Sequence, residues 1–141
     1  MEELLVLKSY IEEQRYTEAL TLIGEMEEMS KDDKINKIYS YSVILILHLI
    51  KKDAEKRTLR SWEFSIRNSA REIKRINKKR KSGGYYLTND ELLETIEDAY
   101  QTALERASLE AFEGQCDESM LAARIDKEKL KKEAFELIQK A

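Results

Sequence analysis

Hydrophobic and polar residues follow the 3.6-residue period of an α-helix along most of this chain. Over 2–13 the pattern turns Leu4, Leu5, Leu7 and Ile11 inward as the apolar face of a first helix. A break at Gln14-Arg15-Tyr16 leads to Thr17, a residue suited to cap a second helix carrying Ala19, Leu20, Ile23 and Met26. Ser30, with Asp33 three residues on, has the spacing of a capping pair and predicts a further long helix over about 31–51. Within it, Val43-Ile44-Leu45-Ile46-Leu47-His48-Leu49-Ile50 is apolar on every side but for one histidine. A helix apolar around its whole circumference belongs at the centre, with other helices around it.

The next helix starts near Thr58 or Ser61. At 100° per residue, Trp62, Ile66, Ala70, Ile73 and Ile76 share one face, while Arg60, Arg67, Arg71, Lys74 and Lys78 share the opposite one. Lys78-Lys79-Arg80-Lys81 closes it, and Ser82-Gly83-Gly84 supplies a hinge or C-cap. Thr88 with Glu91 reads as a capping box for a helix over about 89–112, whose Leu92, Ile96, Ala99, Tyr100, Ala103 and Ala107 face the core. After a loop at 113–118 the chain is helical again. Asp126 caps the last segment, with Ile125 and Leu130 placed as a hydrophobic staple. No internal repeat breaks this order. The expected fold is all-α: a single-domain bundle over 1–141, with about five to six helices around the central one at 31–51.

Composition supports the same class. The 141 residues include no proline, which helix interiors exclude, and only four glycines. A hydrophobic share of 42% is too high for a disordered chain, despite the 38% that is charged. The apolar run at 43–50 is eight residues long, whereas a membrane crossing needs about 20. The acidic start Met1-Glu2-Glu3 is unlike a signal peptide, and the lone Cys116 has no internal partner. A soluble, cytoplasmic protein is expected.

Charge is distributed unevenly. Residues 51–81 hold 13 Lys/Arg against 4 Asp/Glu, in a chain whose net charge is −3. The first 50 residues hold 5 basic and 10 acidic side chains. Phe64 falls between Arg60, Arg67 and Arg71 on the helical wheel, so an aromatic ring sits inside a cationic stripe. Cations fixed along one helix face bind phosphates, and interleaved aromatics stack on unpaired bases. Arg60, Phe64, Arg67, Arg71, Lys74, Lys78, Lys79, Arg80 and Lys81 are therefore the candidate contact residues, for nucleic acid or for a protein partner. The competing reading needs no ligand. Cations at a helix C-terminus complement its dipole, and the stripe can answer acidic helices of the same bundle or of a second subunit.

Catalytic chemistry finds little to work with. His48 is the only histidine, so paired Glu-x-x-His di-metal sites of the bundle type are excluded. It reads as a core or near-core residue satisfied by one hydrogen bond. No Gly-x-x-x-x-Gly-Lys phosphate loop is present, and Cys116 lacks the basic neighbour that would activate a thiolate. Trp62, on the apolar face of its helix, reads as structural.

Three segments carry a family resemblance. Ile46-Leu47-His48-Leu49-Ile50-Lys51, Arg60-Ser61-Trp62-Glu63-Phe64-Ser65-Ile66-Arg67 and Ala99-Tyr100-Gln101-Thr102-Ala103 resemble, in order and spacing, the helices of the domain of unknown function 29 family, found mostly in photosynthetic bacteria. The resemblance runs from Glu27 to Phe112, with a weaker extension back to Leu4, and leaves 114–141 as a helical tail outside it. Lys52-Asp53-Ala54-Glu55 and Cys116-Asp117 depart from the family's aromatic, proline and Cys-Pro pattern. The resemblance implies a helical fold and contributes no catalytic residues; no cofactor or metal is expected.

The expectation from sequence is a small non-enzymatic helical protein that interacts with a protein partner or forms a homodimer, with no membrane or small-molecule ligand implied. Its acidic–basic–acidic layout favours antiparallel or domain-exchanged dimers. The alternative is a nucleic-acid-binding module using the basic helix at 60–81.

Overall fold

A computed structural model describes residues 2–79 and 83–141. Among these residues the chain forms six α-helices and one 3₁₀ turn, and no strand. The helices are α1 (Glu2–Glu12), α2 (Tyr16–Glu55), α3 (Arg60–Asn77), α4 (Asn89–Glu110), α5 (Glu118–Ala122) and α6 (Lys127–Lys140), with the 3₁₀ turn at Ala111–Gly114 between α4 and α5. The fold is all-α, as the periodicity requires. Two compact units divide the chain, Met1–Lys34 and Ile35–Ala141.

The expected break before residue 31 does not exist. Ser30 lies inside α2, which is one 40-residue helix. The segment Met29-Ser30-Lys31-Asp32-Asp33-Lys34 contains neither proline nor glycine, and Ser or Asp side chains pointing into water cost a helix only a few tenths of a kcal/mol. A capping pair marks a start only where the preceding residue leaves helical geometry, and here none does.

In the first unit α1 turns into α2 through Gln14, whose φ of 61° is left-handed. Arg15 N–H donates to the Tyr10 carbonyl at 2.8 Å, and its guanidinium lies 4.6 Å from the Tyr10 ring centroid. Contrary to the inward positions read from the sequence, Leu4, Leu5 and Ile11 are 48%, 67% and 49% exposed, and Leu20 is 69% exposed. Ala19 alone is buried among the described residues of this unit. Two helices of this length have one contact face between them and too little volume to enclose a core.

The second unit holds the core. Along α2, Ile38, Val43, Leu45, Ile46, Leu47, Leu49, Ile50 and Ala54 are buried, with Ile44 and His48 half-buried. Against them α3 supplies Ile66, Ala70, Ile73 and Ile76, α4 supplies Leu92, Ile96, Ala99, Tyr100, Ala103, Leu104 and Ala107, and α6 supplies Leu130, Ala134 and Ile138. Ala99, Ala103, Ala107 and Ala111 recur every fourth residue and are fully buried, a smooth ridge over which neighbouring backbone can approach closely. The segment 114–141 is part of this core, since α6 packs on α3 and α4, and Leu121 of α5 is fully buried. The division in compactness falls at 34/35.

Helix ends follow their local chemistry. α2 stops at Glu55, followed by Lys56 with a left-handed φ of 55°. α3 begins at Arg60, between the two starts considered, with no side-chain cap; Thr58 Oγ1 donates to Glu63 Oε1 instead, at 2.7 Å. Thr88 and Glu91 form the expected capping box, and Asp126 accepts from Lys129 N–H. Asn77 has a role that its local pattern does not signal. Buried at the end of α3, it donates through Nδ2 to the Leu87 carbonyl at 3.1 Å and accepts from Leu87 N–H at 2.8 Å. Its amide stands in for a strand partner and pins the far end of the loop that follows.

Trp62 is 7% exposed, and two cations lie over its ring: Lys51 Nζ at 4.7 Å and Arg57 Cζ at 5.3 Å from the centroid. Lys51 is itself buried and sits 3.2 Å from Glu110 Oε1, so the indole closes one side of an ion pair joining α2 to α4. Removing the ring opens a cavity and bares this pair. Trp62→Ala should cost about 3–5 kcal/mol in chemical denaturation, with the helical circular-dichroism signal retained below the transition.

Candidate interaction surfaces

The outer face of α3 carries the sequence-predicted contact residues. Arg60, Phe64, Arg67, Arg71, Lys74 and Lys78 are all exposed, while Trp62, Ile66, Ala70, Ile73 and Ile76 are buried on the other side. The stripe is less uniform than its sequence. Lys74 Nζ donates to the carbonyls of Gln139 at 2.9 Å and Ala141 at 2.8 Å, so it caps the C-terminal end of α6. Lys79 is half-buried with Nζ 5.6 Å from the Tyr86 ring centroid, and Lys78 is bridged through its backbone to Tyr85. Arg80 and Lys81 lie outside the described residues.

Arg60, Arg67 and Arg71 make no direct ion pair among the described residues; Arg71 Nε reaches the Arg67 carbonyl at 3.5 Å, and Arg67 and Arg71 act on Glu63 and Glu72 only at longer range. Phe64 sits among them, 57% exposed, and Leu59 just before the helix is 41% exposed. Neighbouring charges on α3 are spoken for: Arg75 pairs with Glu72 at 2.6 Å, and Glu63 with Lys52 of α2 at 2.9 Å. Three planar guanidinium groups beside an exposed ring form a patch suited to carboxylates or phosphates with an apolar or aromatic neighbour.

A second surface lies on the first unit. A shallow groove of ≈ 400 Å³ runs along α1, lined by Leu4, Leu7, Lys8, Ile11 and Glu12. Met29 and Tyr16 of α2 are also exposed, at 62% and 58%. Residues 2–34 hold ten carboxylates and four cations, and two of those cations are engaged locally, Lys8 with Glu12 and Arg15 with Glu13 and Glu18. The surface is apolar and acidic.

A third concavity, of ≈ 230 Å³, lies between α4 and α6 against Leu93, Ile96, Glu128, Lys131, Lys132 and Phe135. Its main cation is already matched. Lys131 bonds to both Glu97 and Glu128, and Lys127 reaches Glu97 at 2.9 Å. Lys131 and then Lys127 hold the Glu97 carboxyl below the ordinary carboxylate range, and Glu97 in return raises the Lys131 ammonium.

His48 Nδ1 donates to the Ile44 carbonyl at 2.8 Å, a half-buried histidine satisfied within its own helix, as its surroundings in the sequence suggested. Cys116 is buried. Among the described residues no group of three or more potential metal-ligating side chains comes together, and no helix is long and apolar enough to cross a membrane.

Part of each segment that carries the resemblance is buried. Lys51 contacts Trp62 and Glu110, Tyr39 Oη and Thr102 Oγ1 lie 2.9 Å apart, and Ala99, Tyr100 and Ala103 are buried. The family model described as Domain of unknown function DUF29 matches residues 7–135. The chain belongs to this family. The DUF29 match is longer than the 27–112 segment recognised in the sequence, and takes in α5 and most of α6. No curated protein and no solved structure matches the chain.

Glu63 offers a check on how α3 is held. The Lys52 ammonium, then the Thr58 hydroxyl, keep its carboxyl below the ordinary range. A carboxyl with a lowered folded pKa adds stability that is complete above its unfolded pKa and disappears as pH falls through the folded value. Wild type should therefore have a higher urea midpoint than Glu63→Gln at pH 7, and the difference should close on acidification below about pH 4. A gap unchanged by pH would mean that the pair contributes nothing through its charge.

Proposed function

We propose that this DUF29 protein is a non-enzymatic self-association module that works through its N-terminal helical hairpin. One observation carries the reading: Leu4, Leu5, Ile11 and Leu20 are between 48% and 69% exposed, while Ala19 is the buried residue of the unit. Short helices gain most of their stability from packing an apolar face, and here much of that face is uncovered, Leu7, Ile23 and Met26 being only half-buried. The uneven charge of the chain supports the same reading, because an acidic hairpin and a basic α3 in one sequence provide a complementary pair of surfaces in every copy. Sedimentation velocity from low to high micromolar concentration is expected to show a monomer–dimer equilibrium. In a Leu4→Glu/Leu20→Glu variant the dimer should be lost while the unfolding of residues 35–141 is unchanged. A wild type that stays monomeric throughout would overturn the proposal.

Phe64 favours a second reading. An exposed ring among Arg60, Arg67 and Arg71 has the composition of a platform for single-stranded nucleic acid. Fluorescence anisotropy with labelled single-stranded RNA and duplex DNA should then show affinity falling with salt, with a log–log slope of about −2 for three phosphate contacts on a single strand. Phe64→Ala should weaken single-strand binding while leaving duplex binding nearly unchanged. Absence of binding at low salt would retire this reading.

A further inference from the structure

We infer that the partner surface for the N-terminal hairpin is the Arg60/Phe64/Arg67/Arg71 face of α3 in a second copy of the chain, so that two copies exchange hairpins reciprocally. This rests on the self-association proposed above and assigns its seat.

Three observations converge on α3. First, the hairpin surface is apolar and carries a net charge of −6 over residues 2–34, so the surface that covers it must offer both apolar area and cations. Second, α3 offers both. Phe64 and Leu59 are 57% and 41% exposed, and Arg60, Arg67 and Arg71 are exposed and make no direct ion pair among the described residues, Arg67 and Arg71 acting only at longer range on Glu63 and Glu72. Third, the competing surfaces fit worse. A second hairpin would bring another net −6 against the first, and its Lys8 and Arg15 are already engaged with Glu12, Glu13 and Glu18. The α4–α6 concavity is apolar through Leu93 and Phe135, but Lys131 is held by Glu97 and Glu128, and the Glu128 carboxylate lines the same space.

A reciprocal exchange is closed by a two-fold axis. Each copy gives one hairpin and receives one, so the same contact is made twice. The exposed carboxylates that the hairpin offers to the arginines include Glu27 and Glu28 on α2 and Glu12 beside the α1 groove, the last loosely paired with Lys8 at 4.0 Å. The contact therefore combines burial of leucine side chains with ion pairs at its rim. The rim pairs set the orientation and make association sensitive to salt.

The test uses two full-length charge-reversal variants, Arg60→Glu/Arg67→Glu/Arg71→Glu and Glu12→Lys/Glu27→Lys/Glu28→Lys. Both change exposed residues only, and circular dichroism and urea unfolding would establish that both remain folded. Each alone should dimerise at least about tenfold more weakly than wild type, since like charges then face each other. Mixed in equal amounts, they should form a heterodimer of near wild-type affinity, because each acidic face again meets a basic one. Wild-type association should also weaken as salt is raised. If the arginine variant dimerises like wild type while Leu4→Glu/Leu20→Glu does not, the hairpin docks elsewhere; the α3 seat is overturned and self-association stands. If mixing restores nothing, the α3 seat is likewise overturned. If wild type is monomeric under every condition, both the seat and the self-association fall.

Discussion

The constraint on which the second unit depends is the helical segment Val43–Ile50, which has no polar face. Leu45, Ile46 and Ile50 are fully buried and Val43 and Leu49 nearly so, which is attainable only when other elements cover the helix on several sides. Each such side chain is worth about 1.5–3 kcal/mol on burial, so leaving one side open would forfeit several kcal/mol. That demand explains why α3, α4 and α6 are amphipathic while the segment they surround is not. It also explains the alanines of α4. A helix contributing Ala99, Ala103 and Ala107, with Ala111 just beyond its end, gives up side-chain volume, and recovers it by letting neighbouring backbone and larger side chains come closer.

Lys51 marks where this burial stops. It follows Ile50 directly and is buried almost as deeply, but its ammonium is met by Glu110 at 3.2 Å and by the Trp62 ring. Burying an ammonium is costly without an anion and hydrogen bonds, and Glu110 is half-exposed, so the pair keeps one side in water and avoids the full desolvation penalty. The contact links three helices at a single point. Lys51 and Trp62, in two of the segments that carry the family resemblance, are thereby held together with Glu110 as packing and charge partners.

The core was legible in the sequence because burial and periodicity are the same information in an amphipathic helix. The inward face of α3 and that of α4 were assigned correctly, as were the capping box at Thr88 and Glu91 and the cap at Asp126. Two things were not legible. Ser30 has the local chemistry of a cap, but continuation through Lys31–Lys34 is decided by the absence of a breaker, which a capping pattern does not report. Asn77 works through a partner ten residues away, and nothing in its own neighbourhood announces a contact with Leu87. The candidate site was legible as a charge pattern and no further. Arg60, Phe64, Arg67 and Arg71 stand exposed as read, whereas Lys74 is diverted to the end of α6 by a chain segment 65 residues distant. Helical spacing tells which side chains share a face; only tertiary packing tells which of them are still free.

The same distinction accounts for the failed reading of α1. Leu4, Leu5, Leu7 and Ile11 have the spacing of a buried face, and the inference that they point into this chain's own core was the step that failed. Amphipathic spacing records that a face is apolar and says nothing about which chain covers it. In α3 and α4 the cover is intramolecular, because the central segment of α2 is beside them. In the hairpin Leu4, Leu5, Ile11 and Leu20 stay largely exposed, alongside ten carboxylates and four cations in residues 2–34. Charge of that density keeps such a surface dissolved and deters contact with its own kind, without removing the gain from burial against an oppositely charged surface. An apolar face that is also strongly acidic is thus selective by construction. It disfavours most apolar encounters and admits those that bring cations with them.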